Sequence, residues 1–373
     1  MVQVCSWSNL DLDHLRLAGQ EYKNAIVLGI DGIVDNVWTV VKQRIDRHNT
    51  TTLNSMREFG ERICERSGSA LGVEILPRRR NAGGLTSNTG LAIGRLGVRA
   101  CLIGTYGTDE IHPVFRELAA YCDLFSIGAP ATCQLFEFLD GKLMMAHVQD
   151  LLDIDWDMLV RVFGIAKLRE IFGKAKVVSI GYWSNMPSFD ELIQALCDEV
   201  LSVNPPEYLF FDFADIAKRS SDELEATLKV LGRISNSIPV VLSLNDAEAK
   251  HVYACCGESF SNDSEAVAES AQTVREYVGI AEIVVHTPKY AVAANAEGTY
   301  LLAQDFCKEP VRTVGAGDTF NAGYMVALLH HWSVERRLAV ANAATSFLVR
   351  NGYPPNPDEL MGELHRITAE LGV

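Results

Sequence analysis

Short, continuously apolar segments that are rich in β-branched residues recur along the chain. Six of them stand out: AIVLGI at 25–30, VRACLIG at 98–104, KVVSIG at 176–181, YLFFDF at 208–213, IPVVLSL at 238–244 and EIVVHT at 282–287. Each segment is too short for a typical helix and too uniformly apolar for a strand that has one face in water. Each therefore predicts a strand that is covered on both faces.

Longer amphipathic segments lie between several of these strands, at 187–202, 221–235 and 262–279. A strand that alternates with a helix is typical of a parallel sheet with right-handed crossover connections. We therefore expect an α/β fold in which a central, mostly parallel sheet is flanked by helices.

Two regions interrupt this alternation. Residues 46–80 are polar and charged, and residues 132–148 are typical of a hairpin that turns at Asp140-Gly141. Because no Gly/Ser-rich or Pro-rich linker divides the chain, we expect one α/β domain over 1–373. Its small lid would come from insertions at approximately 36–82 and 130–149.

Composition narrows the possible partners. The 373-residue chain has a formal net charge of −15, which argues against nucleic acid and against an anionic membrane surface. Its nine cysteines include no CxxC pair, and no apolar run approaches the roughly 18 residues of a membrane helix. The first twenty residues lack the core of a signal peptide. We expect a cytoplasmic protein that acts on a small molecule.

The candidate chemistry begins at TVGAGDTFNAGYMVALL, residues 313–329. A glycine-rich turn before a helix offers free N–H groups at the positive end of the helix dipole, which suits an anion. A carboxylate beside that anion makes sense as a general base that takes a proton from an attacking hydroxyl. A plain glycine turn with an aspartate in the first helical turn is the alternative, and the local residues alone leave both open.

Three motifs in sequence order decide between them by resemblance. The motifs are NAGGLTSN at 81–88, SLNDAE at 243–248 and GAGD at 315–318. They resemble the GGxxxN, NxxE and GAGD motifs of the ribokinase-like (phosphofructokinase-B type) carbohydrate kinases, and the similarity extends from about residue 25 to 370. The resemblance implies a ribokinase-like fold with a lid. It also implies transfer of a phosphoryl group from a nucleotide, ATP by default, to a hydroxymethyl group of a sugar, sugar-like compound or nucleoside.

The resemblance also implies catalytic roles. Asp318 would deprotonate the acceptor hydroxyl, and the backbone amides of Gly315, Ala316 and Gly317 would hold the transferred group. The residues expected to contact the acceptor are Asp35, Gly83, Gly84 and Asn88.

Two features near the expected acceptor site stay open. Asp31 competes with Asp35, because their spacing after the first strand is not decisive. Arg78–Arg80 precede the glycine pair, and either meet a phosphorylated sugar or form a solvated basic loop.

On the nucleotide side, the resemblance places Mg²⁺ near Asn245 and Glu248, through water, since Mg²⁺ retains several waters in proteins. The alternative is that these two residues only cap a helix. The residues expected to bind the nucleotide are Asn245, Thr287, Lys289 and Asn342. An ordinary helix-surface amide is the alternative for Asn342.

Two departures from the family pattern carry expectations of their own. Arg312 replaces an aspartate in a loop that binds a monovalent cation in some members, so K⁺ is not expected as a cofactor. Pro288 and Ala291 replace glycines in a loop over the nucleotide, and a proline fixes φ and removes an N–H. This change motivates a second hypothesis, a non-catalytic sugar or nucleoside sensor.

A dinucleotide-dependent oxidoreductase is disfavoured because GIDGIVD, not GxGxxG, follows the first strand. We expect a homodimer.

Overall fold

The computed structural model describes residues 2–10 and 22–371. A ten-stranded sheet runs through the molecule. Its strands, in spatial order, are β1 (Val2–Cys5), β15 (Thr299–Ala303), β14 (Tyr290–Ala294), β13 (Glu282–His286), β12 (Val240–Asn245), β11 (Tyr208–Asp212), β10 (Val177–Ile180), β2 (Ile26–Gly29), β6 (Cys101–Gly104) and β7 (Asp123–Ser126). Every neighbouring pair is parallel except the two pairs that involve β14.

All six predicted strands are present, and their residues are almost entirely buried. Alternate residues contribute to two cores on opposite faces of the sheet. In β11, for example, Phe210 packs into one core and Phe211 into the other. This burial on both faces explains the uniformly apolar pattern, and it confirms the predicted α/β fold with a mostly parallel sheet.

Helices cover both faces. One core contains residues of α2 (Leu85–Arg95), α10 (Ala316–Leu329), α11 (Val334–Asn351) and α12 (Pro357–Leu371). The other contains residues of α4 (Gln149–Leu152), α5 (Trp156–Phe172), α6 (Phe189–Leu196), α7 (Ser221–Ser235), α8 (Asp246–Cys255) and α9 (Ser264–Val278). The predicted helices at 187–202, 221–235 and 262–279 correspond to α6, α7 and α9, and α6 continues through a π turn to Leu201.

A second sheet lies outside this layer structure. Its strands are β3 (Ile33–Arg44), β4 (Thr50–Thr52), β5 (Ile75–Gly83), β8 (Ala131–Phe138) and β9 (Gly141–His147). Strand β3 pairs with β4, β5 and β8, and β8 pairs with β9 through the predicted turn at Asp140-Gly141. Two further helices, α1 (Met56–Glu65) and α3 (Arg116–Tyr121), complete the set. We call this second sheet the lid sheet.

Four strands of the main sheet, β1, β7, β14 and β15, have no counterpart among the predicted strands. Strand β7 pairs in parallel with β6 at one sheet edge, and its four residues are only half-buried. Strand β1 pairs in parallel with β15 at the sheet edge, and two of its four residues are exposed, so it lacks an apolar run. Strands β14 and β15 form antiparallel pairs next to β13. The predicted domain bounds also include residues 1, 11–21 and 372–373, which lie outside the described residues. Within the described ranges, no helix combines the length and the apolar character needed to cross a membrane.

Candidate active site

A buried hydrogen-bond chain joins the start of α10 to the ends of two strands. Asn321, in the second turn of α10, donates from Nδ2 to Oδ2 of Asp212 at 2.6 Å. Its Oδ1 accepts from Oγ of Ser243 at 2.6 Å. Asp212 and Ser243 are register partners on β11 and β12. The chain therefore holds the N-terminus of α10 at the carboxyl edge of the sheet, where parallel α/β folds place their ligands.

The turn Gly315–Asp318, which we call the GAGD turn, opens α10. Gly315 has φ of 82°, a left-handed conformation that glycine adopts without a Cβ penalty. Ala316 N–H donates to Thr313 O at 3.2 Å. The N–H groups of Gly315, Gly317 and Asp318 have no acceptor among the described residues. The turn thus offers three free amides at a helix N-terminus, which is an anion-binding arrangement, whereas the Ala316 N–H of the predicted set is already bonded.

Three polar side chains converge on Gly315. A Cβ atom built there would lie 3.7 Å from Nη2 of Arg312, Cγ of Asn88 and Oδ2 of Asp318. Asn88 belongs to the early glycine motif, more than two hundred positions away in the sequence. The fold therefore brings the two predicted motifs together, with one amide, one guanidinium and one carboxyl around the turn.

The Asp318 carboxyl has a pKa raised well above the usual value for an aspartate. Burial is the main cause, and the negative charges of Asp212 and Asp31 act in the same direction. Hydrogen bonding from Asn88 and the positive charge of Arg312 oppose the increase. A carboxyl with a raised pKa is a better proton acceptor once it is ionised, so this environment suits a general base.

The glycine pair lies against two carboxyl groups. A Cβ atom on Gly83 would come within 2.3 Å of Oδ2 of Asp35, and one on Gly84 within 1.8 Å of Oδ2 of Asp31. Gly84 also has φ of 91°. Both positions therefore need glycine for close approach, and Gly84 needs it for its backbone conformation as well.

Asp31 and Asp35 have different environments. Asp31 is fully buried, and its Oδ1 accepts the backbone N–H of Thr86 at 2.7 Å and the Thr86 hydroxyl. It therefore caps the N-terminus of α2. Asp35 is only partly buried, and burial raises its pKa to about 6 while Arg312 opposes the increase. Of the two candidates, Asp35 is the one with a surface that a ligand can reach.

Asp35 lines a cavity of about 520 Å³ between the lid sheet, α2 and the loop before α10. Asn88 and Arg312 also line it. Asp318 is not among the lining residues, but its carboxyl adjoins these two side chains at the GAGD turn. The structure therefore places two of the four predicted acceptor residues, Asp35 and Asn88, on one cavity, with the predicted base beside Asn88.

Asn245 and Glu248 form a reciprocal capping box on α8. Oδ1 of Asn245 accepts Glu248 N–H at 2.9 Å, and Oε2 of Glu248 accepts Asn245 N–H at 2.8 Å. Glu248 is buried, and its pKa is raised well above the usual value by burial and by the charges of Asp212 and Asp318. In the part of the chain that the structure describes, no three His, Cys, Asp or Glu side chains could together hold a metal ion.

The other predicted nucleotide residues are more dispersed. Thr287 Oγ1 accepts the N–H groups of Lys289 and Tyr290, both at 3.1 Å, so 287–290 is a tight turn between β13 and β14. Lys289 is exposed. Asn342 is fully buried in α11, and its amide has no hydrogen-bond partner among the described residues.

His286 lies beneath the GAGD turn. A Cβ atom on Gly317 would come within 3.2 Å of Cε1 of its imidazole, which stacks on Phe320. Burial lowers the pKa of His286 to about 4, so the imidazole is neutral near pH 7.

Sequence reasoning missed three residues of this site. Asp212 ends a strand that was recognised only by its apolar pattern, and Asn321 lies within an apolar helix. Tyr182 lies two residues after β10 with φ of 69°, and burial, together with the charges of Asp31, Asp318 and Asp35, raises its pKa. A polar residue that ends or closely follows a buried strand was the available signal for Asp212 and Tyr182.

Comparison with known proteins identifies the family. A family model described as prokaryotic ketohexokinase matches residues 16–366. The chain belongs to the prokaryotic ketohexokinase family. It is 28% identical over 339 residues to a ketohexokinase from Haloferax volcanii, which covers 90% of this chain and 89% of that protein. It is 27% identical over 292 residues to an ATP-dependent ribose-1-phosphate kinase from Halopiger xanaduensis, with 76% and 84% coverage.

The fold comparison agrees with this assignment. A carbohydrate kinase from Agrobacterium tumefaciens superimposes with a TM-score of 0.64 at 18% identity, covering 92% of this chain and 97% of that one. The predicted resemblance to ribokinase-like carbohydrate kinases is confirmed, and the protein is a carbohydrate kinase.

The first prediction concerns the glycine pair. Gly84→Ala forces a Cβ into Asp31 and strains the backbone, so we expect a loss of about 2–4 kcal/mol in the free energy of unfolding. Gly83→Ala displaces Asp35 without that backbone strain, so it should mainly raise the KM of the acceptor. Gly60→Ala, with open space around its Cβ, is the control. Urea denaturation and steady-state kinetics measure both effects, and equal stability of all three variants would contradict the assignment.

The second prediction concerns the charge of Asp212. Because that charge raises the pKa of Asp318, Asp212→Asn should move the acidic limb of the kcat/KM profile to lower pH. The amide oxygen of the new side chain can accept from Asn321, while the Ala214 N–H that now donates to Oδ1 of Asp212 loses its acceptor.

Asp190→Asn removes a partly buried carboxyl on α6 that accepts from Thr227, and it serves as the control. Its acidic limb should match that of the wild type. An acidic limb that stays in place in Asp212→Asn would show that Asp318 does not control it.

Proposed function

We propose that this kinase transfers the γ-phosphoryl group of ATP to a hydroxymethyl group of a sugar, with Asp318 as the general base. The observation that carries the proposal is the surroundings of the GAGD turn. Three free amides lie at the start of α10, and the carboxyl beside them adjoins Asn88 and Arg312, which line the same cavity as Asp35. An acceptor held by Asp35 and Asn88 would present its hydroxyl to Asp318.

The acceptor hydroxyl loses its proton to the Asp318 carboxylate, and its oxygen forms a bond to the γ-phosphorus. The bond from the γ-phosphorus to the bridging oxygen breaks, and ADP leaves. The N–H groups of Gly317 and Asp318 would donate to the oxygens of the group in transfer, so positioning and electrostatic stabilisation supply most of the rate.

A magnesium ion bound with the nucleotide would neutralise phosphate charge. The charges of Asp212 and Asp318 both raise the pKa of Glu248, so a cation near these carboxylates would be stabilised. Since no all-protein cage exists among the described residues, Glu248 and Asn245 would hold the ion through water, as Mg²⁺ commonly is held. Both side chains cap α8 at the same time.

The relatives support ATP as donor and a sugar as acceptor. One is named for a ketohexose and the other for ATP and a phosphorylated ribose. The proposal for this chain therefore covers sugars and sugar phosphates. The sensor hypothesis gains no support from these relatives, which are both named as kinases.

The third prediction tests the base directly. Asp318→Asn keeps the shape of the side chain and removes its basicity, so kcat should fall by about 10²- to 10⁴-fold. The raised pKa of Asp318 means that its charge costs folding free energy at pH values above its folded pKa. That cost disappears as the pH falls towards its unfolded pKa. We therefore expect the variant to melt at the same or a higher temperature than the wild type at pH 8, with this advantage shrinking towards pH 4.

Asp246→Asn, which changes an exposed aspartate in the first turn of α8, is the matched control. Its kcat should stay within about threefold of the wild type, since surface substitutions have small effects. Coupled-enzyme kinetics with Mg²⁺-ATP and scanning calorimetry provide the data. A variant at position 318 that retains wild-type kcat would refute the role of the base.

The fourth prediction concerns monovalent cations. Nε of Arg312 donates to Val314 O at 2.9 Å, and Nη1 donates to Gly352 O at 3.3 Å. The guanidinium group of Arg312 is thus hydrogen-bonded to two backbone oxygens, and its positive charge has a fixed position in this loop. We expect kcat/KM to change by less than about twofold when K⁺ replaces tetramethylammonium at constant ionic strength, because a like charge excludes the ion. Strong stimulation by K⁺ would contradict this account.

A further inference from the structure

The cavity that Asp35 lines is unusually basic for so acidic a chain. Five of its described lining side chains are cationic: Arg79, Arg80, Arg95, Lys142 and Arg312. Three are carboxylates: Asp35, Glu117 and Glu137. The wall thus carries a surplus of two positive charges in a protein whose net charge is −15. A local excess of positive charge raises the local concentration of anions.

The lid sheet forms one wall of this basic cavity. Arg79 lies directly opposite Val37 in the β3–β5 ladder, two residues beyond Asp35. Two residues of strand span about 6–7 Å, which is about the length of a sugar chain. A molecule whose hydroxyls meet Asp35 would therefore bring its far end to the level of Arg79.

Glu137 neutralises only part of this charge. Its Oε1 lies 2.7 Å from Nη2 of Arg79 and 3.5 Å from Nζ of Lys142. One carboxylate thus forms ion pairs with two cationic side chains of the lid sheet. The two other arginines of the wall have more local partners. Arg80 donates to Asn36, and Arg95 donates to Pro354 O and Glu359.

Arg312 lies on the cavity wall that faces the lid sheet. Its Nε and Nη1 are held by backbone oxygens, and its Nη2 points to the GAGD turn. Burial lowers the pKa of Arg312, and the charge of Arg79 acts in the same direction while that of Asp318 opposes it. Two like charges that face one cavity repel each other, and an anion between them would offset that repulsion.

From this arrangement we infer that the acceptor is a sugar phosphate, whose phosphate monoester binds between Arg79, Lys142 and Arg312 while its free hydroxymethyl group faces Asp318. This inference rests on the proposed function and narrows it from sugars in general to phosphorylated ones. A phosphate monoester carries about −1.5 to −2 charges at pH 7, which matches the surplus of two better than a carboxylate does. The cavity volume of about 520 Å³ fits a molecule of this size.

The anion of this subsite is distinct from the transferred group. The transferred phosphoryl group has its own donors, the N–H groups of Gly317 and Asp318 at the start of α10. Arg79 belongs to the lid sheet, on the side of the cavity that carries Asp35. An acceptor that reaches from the GAGD turn to Arg79 satisfies both positive regions at once.

The fifth prediction compares neutral sugars with their monophosphates. The probes are fructose with fructose 1-phosphate and fructose 6-phosphate, and ribose with ribose 1-phosphate. With Mg²⁺-ATP, we expect kcat/KM of the wild type to be at least about tenfold higher for a phosphorylated member of a pair, as charged hydrogen bonds imply. Arg79→Gln should reduce that preference by about 10- to 100-fold.

Arg78→Gln is the matched control. Arg78 is adjacent in the same strand, but it does not line the cavity, and its Nε donates to Thr39 Oγ1 at 2.6 Å. This variant should keep the wild-type preference. The thermal midpoints of both variants, measured by circular dichroism, establish that each is folded.

The outcomes separate the inference from the proposed function. If the wild type phosphorylates a neutral sugar and shows no preference for any monophosphate, the inference is wrong and the proposed function stands. If no sugar is phosphorylated, the proposed function is wrong, and calorimetry without nucleotide then decides the inference. Binding of a sugar monophosphate that Arg79→Gln weakens at least tenfold would support the subsite, and absence of such binding would overturn it.

Discussion

The geometry of the active site depends on one buried side chain, the amide of Asn321. This amide donates a hydrogen bond to Asp212 at the end of β11 and accepts one from Ser243 on β12. The two hydrogen bonds fix the first turns of α10 against the sheet. Because Asn321 follows Asp318 by three residues, the same contact determines where the base and the free amides point. A buried amide that lost one of these partners would be left with an unsatisfied group, which costs about 1–3 kcal/mol. The constraint therefore contributes to both stability and catalysis.

Carboxylates are concentrated at this edge of the sheet. Burial is the main cause that raises the pKa of both Asp318 and Glu248, and the charge of Asp212 adds to each effect. Such repulsion destabilises the fold but prepares a base and attracts cations, which is a common compromise at active sites. Arg312 provides the opposing charge. It lies beside Asp318 and opposes the increase in the pKa of both Asp318 and Asp35, so one guanidinium partly offsets the repulsion at the base and on the acceptor side.

Sequence patterns predicted the fold class, the six buried strands and the motifs, because each is encoded by neighbouring residues. Strand β1 was missed because it is short and half exposed at a sheet edge. Asp212 and Asn321 were missed because their contact joins residues 109 positions apart, and each lies in an otherwise apolar segment that was interpreted only as a strand or a helix. Asp31 and Asp35 were indistinguishable in sequence, since only packing against α2 shows that Asp31 caps that helix. The basic cavity likewise depends on how the lid sheet faces Arg312.

The central claim is that the carboxyl of residue 318 meets the acceptor hydroxyl while the amides beside it hold the γ-phosphate. A crystal structure of Asp318→Asn with Mg²⁺, a non-hydrolysable ATP analogue and a phosphorylated or neutral sugar acceptor tests it most directly. The account predicts an acceptor hydroxyl about 2.6–3.2 Å from the side chain of residue 318, and γ-phosphate oxygens at the N–H groups of residues 317 and 318. A γ-phosphate bound away from α10, or a hydroxyl that meets another side chain instead, would contradict it.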